Sequence, residues 1–251
     1  MSAYADPAAR IMNALKLRLM PVAVSFPDSA PEGHARPAKA AAAGCQFWEQ
    51  GAVNALSTTA DDHKHCAIGI HTHAMRDAPT QQSEDLGATL AAMQGLDYVR
   101  DAEVAAIPVL PQTTGIVAYT PLNECEQPPA VVLLFADAAQ SLVIAEAIAR
   151  VDGEAAVAMG RPACALVPAV VNSGRAASSL GCCGARVYLD GLDERTSIWG
   201  LVSEKLEAYV AEIELLAKAN DTLTRYHTLR RNDIEAGKNP SVDESLSRLA
   251  G

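Results

Sequence analysis

The sequence predicts a mixed α/β fold: one domain with a mixed sheet flanked by helices, closed by a long C-terminal helix. Three observations predict it. Two apolar runs of strand length, "TGIVAYTPL" (114–122) and "AVVLLFAD" (130–137), lie either side of a short polar loop. Helical periodicity alternates with such runs along the chain, without the sustained β-α-β rhythm of a fully parallel sheet. Residues 203–233 carry one long apolar stripe at helical spacing. With 251 residues and 49% apolar composition the chain can bury a full core. Aromatics make up only 4%, so that core must be built from small aliphatic side chains.

The elements follow in order. "DPAARIMNALKLRL" spaces Ile11, Met12, Leu15 and Leu19 for a helix, with Asp6 as N-cap and Pro7 in the first turn. "PVAVSF" (21–26) reads as a buried strand, and the Pro- and Gly-rich stretch after it as a loop. "CQFWEQGAVNALS" (45–57) reads as a helix. "TTADDHKHCAIGIHTHAMRDAPT" begins as a polar loop in which Gly69 interrupts any helix. Residues 83–96 are helical, started by Ser83. Residues 138–153 form a helix that stops at Gly153. Residues 154–174 read as a short strand and then a helix from about Pro162, which Pro168 would disturb. "AASSLG" is a strand, "CGARVYLDGL" a short helix and "RTSIWGLV" a strand. Ser203 caps the long segment, and the last residues read as a loose tail or partner-binding arm. The predicted division is a cysteine-containing domain over 1–218 and a helical extension with tail over 219–251.

Composition excludes several classes. A net charge of −10, from 30 acids against 20 bases, speaks against a nucleic-acid partner. No apolar stretch approaches the ~20 residues of a membrane span. The first residues lack an apolar signal core, which places the protein in the cytoplasm. In that reducing compartment, six cysteines point to metal ligands, catalytic thiols or small core residues rather than disulfides. The phosphate-loop, dinucleotide, nucleophile-elbow and zincin motifs are absent from the sequence.

The cysteines are Cys45, Cys66, Cys125, Cys164, Cys182 and Cys183, with no CxxC pair. Zinc ribbons and ferredoxin runs draw ligands in close pairs, so a dispersed set argues for neither. Glycine neighbours three of these positions directly, in Gly44-Cys45, Gly181-Cys182 and Cys183-Gly184, and Gly69 follows Cys66 three residues on. Glycine lets the backbone come close and aim N–H groups at sulfur, which stabilises an anionic iron–sulfur cluster. Four of six histidines, His63, His65, His71 and His73, crowd around Cys66. Two HxH pairs beside a cysteine suit zinc or haem iron, although the imidazoles share a face only on an extended backbone. Arg175 and Arg186 lie near the double cysteine and would neutralise cluster or substrate charge.

The order "PVAVSF", "PEGHARPAKAAAAGCQFW", a cysteine before a glycine-containing segment, and "RPACALVPAVVNSGRAASSLGCCGAR" resembles the domain of unknown function 169 family. The resemblance spans about residues 13 to 215 and is strongest in "SLGCCGAR", which fits the family pattern Ser-Leu-Gly-Cys-x-Gly-x-Arg. It implies that the recurring cysteines fall on Cys45, Cys66, Cys164 and Cys182. Cys183 takes the variable position beside the last, and Cys125 has no counterpart. The resemblance implies a fold and a cysteine set, and brings no reaction.

Three expectations follow. The first is an iron–sulfur cluster, of 4Fe-4S type, on Cys45, Cys66 and Cys182, with Cys164 or Cys183 as fourth or nearby thiol and Arg186 beside it. The protein would then be an enzyme, an oxidoreductase or lyase, acting on a small-molecule substrate. The second is a non-redox zinc- or haem-binding protein using the His63–His73 stretch. The third is a metal-free enzyme with a nucleophilic thiol at Cys182 or Cys183. The long helix and tail would support a homodimer.

Overall fold

The computed structural model describes residues 2–249. The seven strands are β1 (Val22–Ser25), β2 (Leu56–Thr58), β3 (Val117–Pro121), β4 (Val131–Asp137), β5 (Val157–Met159), β6 (Ala177–Ser179) and β7 (Thr196–Val202). They form one sheet in the order β2-β3-β1-β4-β7-β6-β5. Every neighbouring pair is antiparallel except β5 with β6. The mixed α/β architecture with its long C-terminal helix is therefore as the sequence predicts. β4 lies at the centre of the sheet, and its run "VVLLFA" is buried on both faces, as an interior strand requires.

The helices are α1 (Ala5–Leu15), α2 (Gln46–Gly51), α3 (Ala67–Thr72), α4 (Thr80–Gly95), α5 (Asp101–Ala105), α6 (Ala138–Asp152), α7 (Leu166–Ser173), α8 (Cys183–Tyr188), α9 (Leu206–Glu235) and α10 (Val242–Ser247). Successive strand residues point to opposite faces, and β7 shows which helices take which side. The Trp199 indole donates to Ser141 of α6, whereas Gly200 sits directly under Val170 and Leu166 of α7. The face of Trp199 carries α6; α9 packs on α6, and α1 packs on α9. Across the ladder Gly200 pairs with Leu133 and Leu133 with Val22, so these share the other face, along with Tyr119 of β3. That second face carries α2 and α7, and the cysteines.

The first face is built by strong local signals. Asp137 and Gln140 form a reciprocal capping box at the start of α6, and Gly153 ends it in the left-handed conformation. Asp152, at the other end, accepts from Lys205 Nζ (2.8 Å) and Tyr209 Oη (2.9 Å), tying α6 to α9. Arg10 of α1 reaches Glu207 and Glu214 of α9.

Several expectations are corrected. Tyr4, not Asp6, precedes α1, and Asp6 lies in its first turn. The helix expected over 45–57 ends at Gly51, and Leu56–Thr58 is strand β2. Gly69 lies inside a helix rather than interrupting one. α4 begins at Thr80, three residues before Ser83. α7 begins at Leu166 rather than Pro162, which puts Pro168 in its first turn, where a missing N–H costs nothing. Ser203 lies in a 3-10 turn, and Lys205 precedes α9. α9 runs unbroken from Leu206 to Glu235. The described part of the tail is not loose. α10 starts with a capping box on Ser241 and Glu244, and Arg248 and Lys238 pair with Asp233 of α9. Among the described residues no helix is long and apolar enough to cross a membrane.

Candidate functional site

Short helices on the second face deliver the thiols. Cys45 immediately precedes α2, Cys66 precedes α3 and Cys182 precedes α8, whose first residue is Cys183. Cys164 lies in the 3-10 turn (Ala163–Ala165) that leads into α7. All five line a single cavity of about 290 Å³. Residues far apart in sequence are thus gathered by one face of the sheet. Cys125 lies elsewhere: its buried thiol donates to the Gln127 carbonyl at 3.0 Å.

Cys45, Cys66 and Cys164 are buried, Cys182 is half-buried and Cys183 is exposed. Burial pushes the Cys45 thiol far up, and a charge on Cys164, Cys66 or Cys182 would push it further. Cys164 is raised in the same way, by burial and then by Cys66 and Cys182. Four thiols are therefore within electrostatic reach of one another. Cys66 is raised by burial, but hydrogen bonds from the Gly44 and Gly69 amides oppose the rise. Both positions require glycine. A Cβ on Gly69 would stand 2.9 Å from Cys66 Sγ, and one on Gly44 only 2.4 Å from His63 Nδ1. The glycine beside Cys45 in sequence thus serves the sulfur of Cys66.

Behind the thiols lies a buried polar wall. His63 Nε2 meets the Thr58 hydroxyl at 2.9 Å, and that hydroxyl donates to the Val117 carbonyl. This pattern puts the proton on Nε2 and leaves Nδ1 as an unpartnered lone pair. His73 Nδ1 meets the Gly69 carbonyl at 3.1 Å, and its Nε2 is unpartnered. The Tyr119 hydroxyl, beside Thr58, makes no hydrogen bond of normal geometry. Burial pushes His63 down to about 3 and His73 down to about 4, so both imidazoles are neutral at pH 7.

The histidine-rich stretch does not gather. His63 and His73 are buried, while His65 and His71 are exposed. α3 turns His71 and His73 apart, as helical geometry demands of an HxH pair. No three His, Cys, Asp or Glu side chains among the described residues are grouped to hold one metal ion.

The front wall was not anticipated. It comes from α4 (Leu90, Met93), from Tyr98 in the turn before α5, and from Ile107 just after α5. Arg161 stacks on the Tyr98 ring at 4.4 Å and pairs with Glu103 at 3.2 Å. The Tyr98 hydroxyl donates to Cys183 Sγ at 3.8 Å. The one sequence signal was proximity: Arg161 opens the segment "RPAC" that ends in Cys164.

Arg186 is outside the cavity lining. Its guanidinium donates to the carbonyls of Leu180, Asp193 and Thr196, bracing the turn that presents Cys182. It is a strut for the loop rather than a counter-charge. Arg175 pairs with Glu154 and also lies outside the cavity.

The family model for domain of unknown function 169, described as "Uncharacterised ArCR", matches residues 10–212, and the chain belongs to that family. The match includes all five cavity cysteines and leaves out most of α9 and the whole of α10. No curated protein and no solved structure matches the chain.

Proposed function

We propose that the cavity binds an iron–sulfur cluster through Cys45, Cys66 and Cys182, with Cys164 as the further thiol within reach, and that the protein is an enzyme acting on a small molecule there. The observation that carries this is the gathering of Cys45, Cys66, Cys164 and Cys182, far apart in sequence, around one cavity. Without a cation, burial opposes a charge on Cys45, Cys66 or Cys164, and neighbouring thiolates oppose it further. A bound metal reverses that balance, because a coordinating thiol loses its proton outright. The amides of Gly44 and Gly69, aimed at Cys66 sulfur, are the donors that an anionic cluster takes up.

When bound, a cluster held by three thiolates supplies one iron open as a Lewis acid, or an electron carrier. The chain's own residues do the rest. Side chains of α4 and α5 form part of the cavity wall. Arg161 offers a positive charge in the same lining as the thiols. Neutral His63 adds no positive charge behind Cys66 that would compete for its thiolate.

Protein purified without oxygen should carry iron and acid-labile sulfide in equal, near-stoichiometric amounts. Cys45→Ser, Cys66→Ser and Cys182→Ser should each lose most of the iron, whereas Cys125→Ser should keep it. Iron-free protein, both as purified and after anaerobic reconstitution, overturns the reading.

A further inference from the structure

We infer that the cavity takes an apolar small molecule with a single carboxylate, held at Arg161, with the apolar body against α4 and α5 and directed at the thiols. This deepens the reading above, on which the chemical consequence rests. Binding itself does not require the metal.

The cavity wall is apolar apart from the thiols and a few polar groups, chief among them Arg161 and Glu103. Apolar pockets with a small number of placed polar groups bind small molecules by burying the body and orienting it through the polar group. The two charges are not equivalent. Glu103 is already used twice. Its Oε2 accepts from the Arg100 amide at 2.9 Å, closing the N-terminal box of α5, and its Oε1 accepts from Arg161. Arg161 makes one hydrogen bond among the described residues, and a guanidinium has five donors in a fork that fits a carboxylate. Stacking on Tyr98 fixes the plane of that fork. The spare capacity at this wall is therefore cationic, and the ligand it fits is an anion of carboxylate geometry.

Tyr98 also sets the direction. Its ring carries Arg161 on one face, and its hydroxyl reaches Cys183 Sγ. A carboxylate on Arg161 thus points the rest of the ligand along Tyr98 toward the thiols. Leu90 and Met93 of α4 lie along this path, partly exposed in the free protein and free to close on an apolar chain.

Titration calorimetry on the full chain, with octanoate, octan-1-ol and 2-aminooctanoate as probes, tests this. Octanoate should bind saturably and octan-1-ol far more weakly. Arg161→Met should weaken octanoate roughly tenfold to a hundredfold, the scale of a charged hydrogen bond. Glu103→Gln should tighten it, because it removes the competing carboxylate. No octanoate binding, equal binding of the alcohol, tighter binding of the zwitterion, or an Arg161→Met variant that is folded and binds unchanged would each overturn the inference. Iron content measured on the same samples separates the two claims. Iron present without octanoate binding sinks this inference alone, and octanoate binding without iron sinks the cluster reading alone.

Discussion

The two faces of the sheet follow opposite rules. On the face of α1, α6 and α9, each charged group in the hub has a partner: Asp152 with Lys205 and Tyr209, Arg10 with two glutamates. The helices there are 11 to 30 residues long and packed on aliphatic side chains, and α6 carries a capping box. On the cysteine face α2, α3 and α8 are six residues each, and none has a side-chain cap. Of the five buried side-chain atoms without partners among the described residues, three lie in this wall, on His63, His73 and Tyr119. Unpartnered buried polar atoms collected on one side are where a functional site is expected to depart from packing rules. One face anchors the sheet, and the other holds thiols in a site that is incomplete as a purely packed core.

Substitutions on each face should therefore fail differently. The largest loss of stability is expected from Leu134→Ala in β4, fully buried beside Trp199, at roughly 2–5 kcal/mol. Denaturant titration should show that loss, while iron per folded chain stays unchanged. Gly44→Ala should reverse the pattern. It forces a methyl group onto the His63 ring, costs about 1–3 kcal/mol, and removes most of the iron by shifting the Cys45 and Cys66 loops. Equal iron in wild type and Gly44→Ala would erase the contrast between the faces.

Acid should also find the cysteine face first. His63 and His73 have folded values well below the unfolded value of ~6.5, so between those limits the unfolded state binds more protons. Stability of the metal-free protein is then full above about pH 6.5 and falls as pH drops toward 4, by up to ~1.4 kcal/mol per pH unit for each histidine. Asp152, held below the usual carboxylate range by Lys205 and Tyr209 against the effect of burial, begins to lose its contribution only below about pH 3.9. His63→Gln with His73→Gln should flatten the slope between pH 6.5 and 4.5, leaving a smaller part from His34, which burial also lowers. An unchanged slope would mean that the imidazoles are not buried neutral. The smallest effect belongs to Cys183→Ser: an exposed position, with stability changed by less than ~0.5 kcal/mol and iron retained.

The same contrast explains what was legible in the sequence. The anchoring face is written in long signals: β4 as a continuous apolar run, α6 with its cap and terminal glycine, α9 as a stripe over many turns. All three stand close to where the sequence predicts them. The cysteine face is written in pieces too short for periodicity to register. Six residues make less than two helical turns, so α3 was missed and α2 was extended into strand β2. Gly69 looked like a breaker because its use is close approach to Cys66 sulfur, which only the folded chain reveals. The glycine-flanked cysteines were legible one by one. Of the partners that complete their surroundings, His63 stands in the histidine-rich stretch, whereas Tyr98, Arg161 and Tyr119 carry no local pattern and are brought there by the fold.

Crystals grown without oxygen and measured on both sides of the iron absorption edge would test the account most directly. It requires anomalous density for iron inside the cavity, within bonding distance of the sulfurs of Cys45, Cys66 and Cys182. Iron bound elsewhere, or a cavity in which those three sulfurs remain protonated and packed without metal, would contradict it.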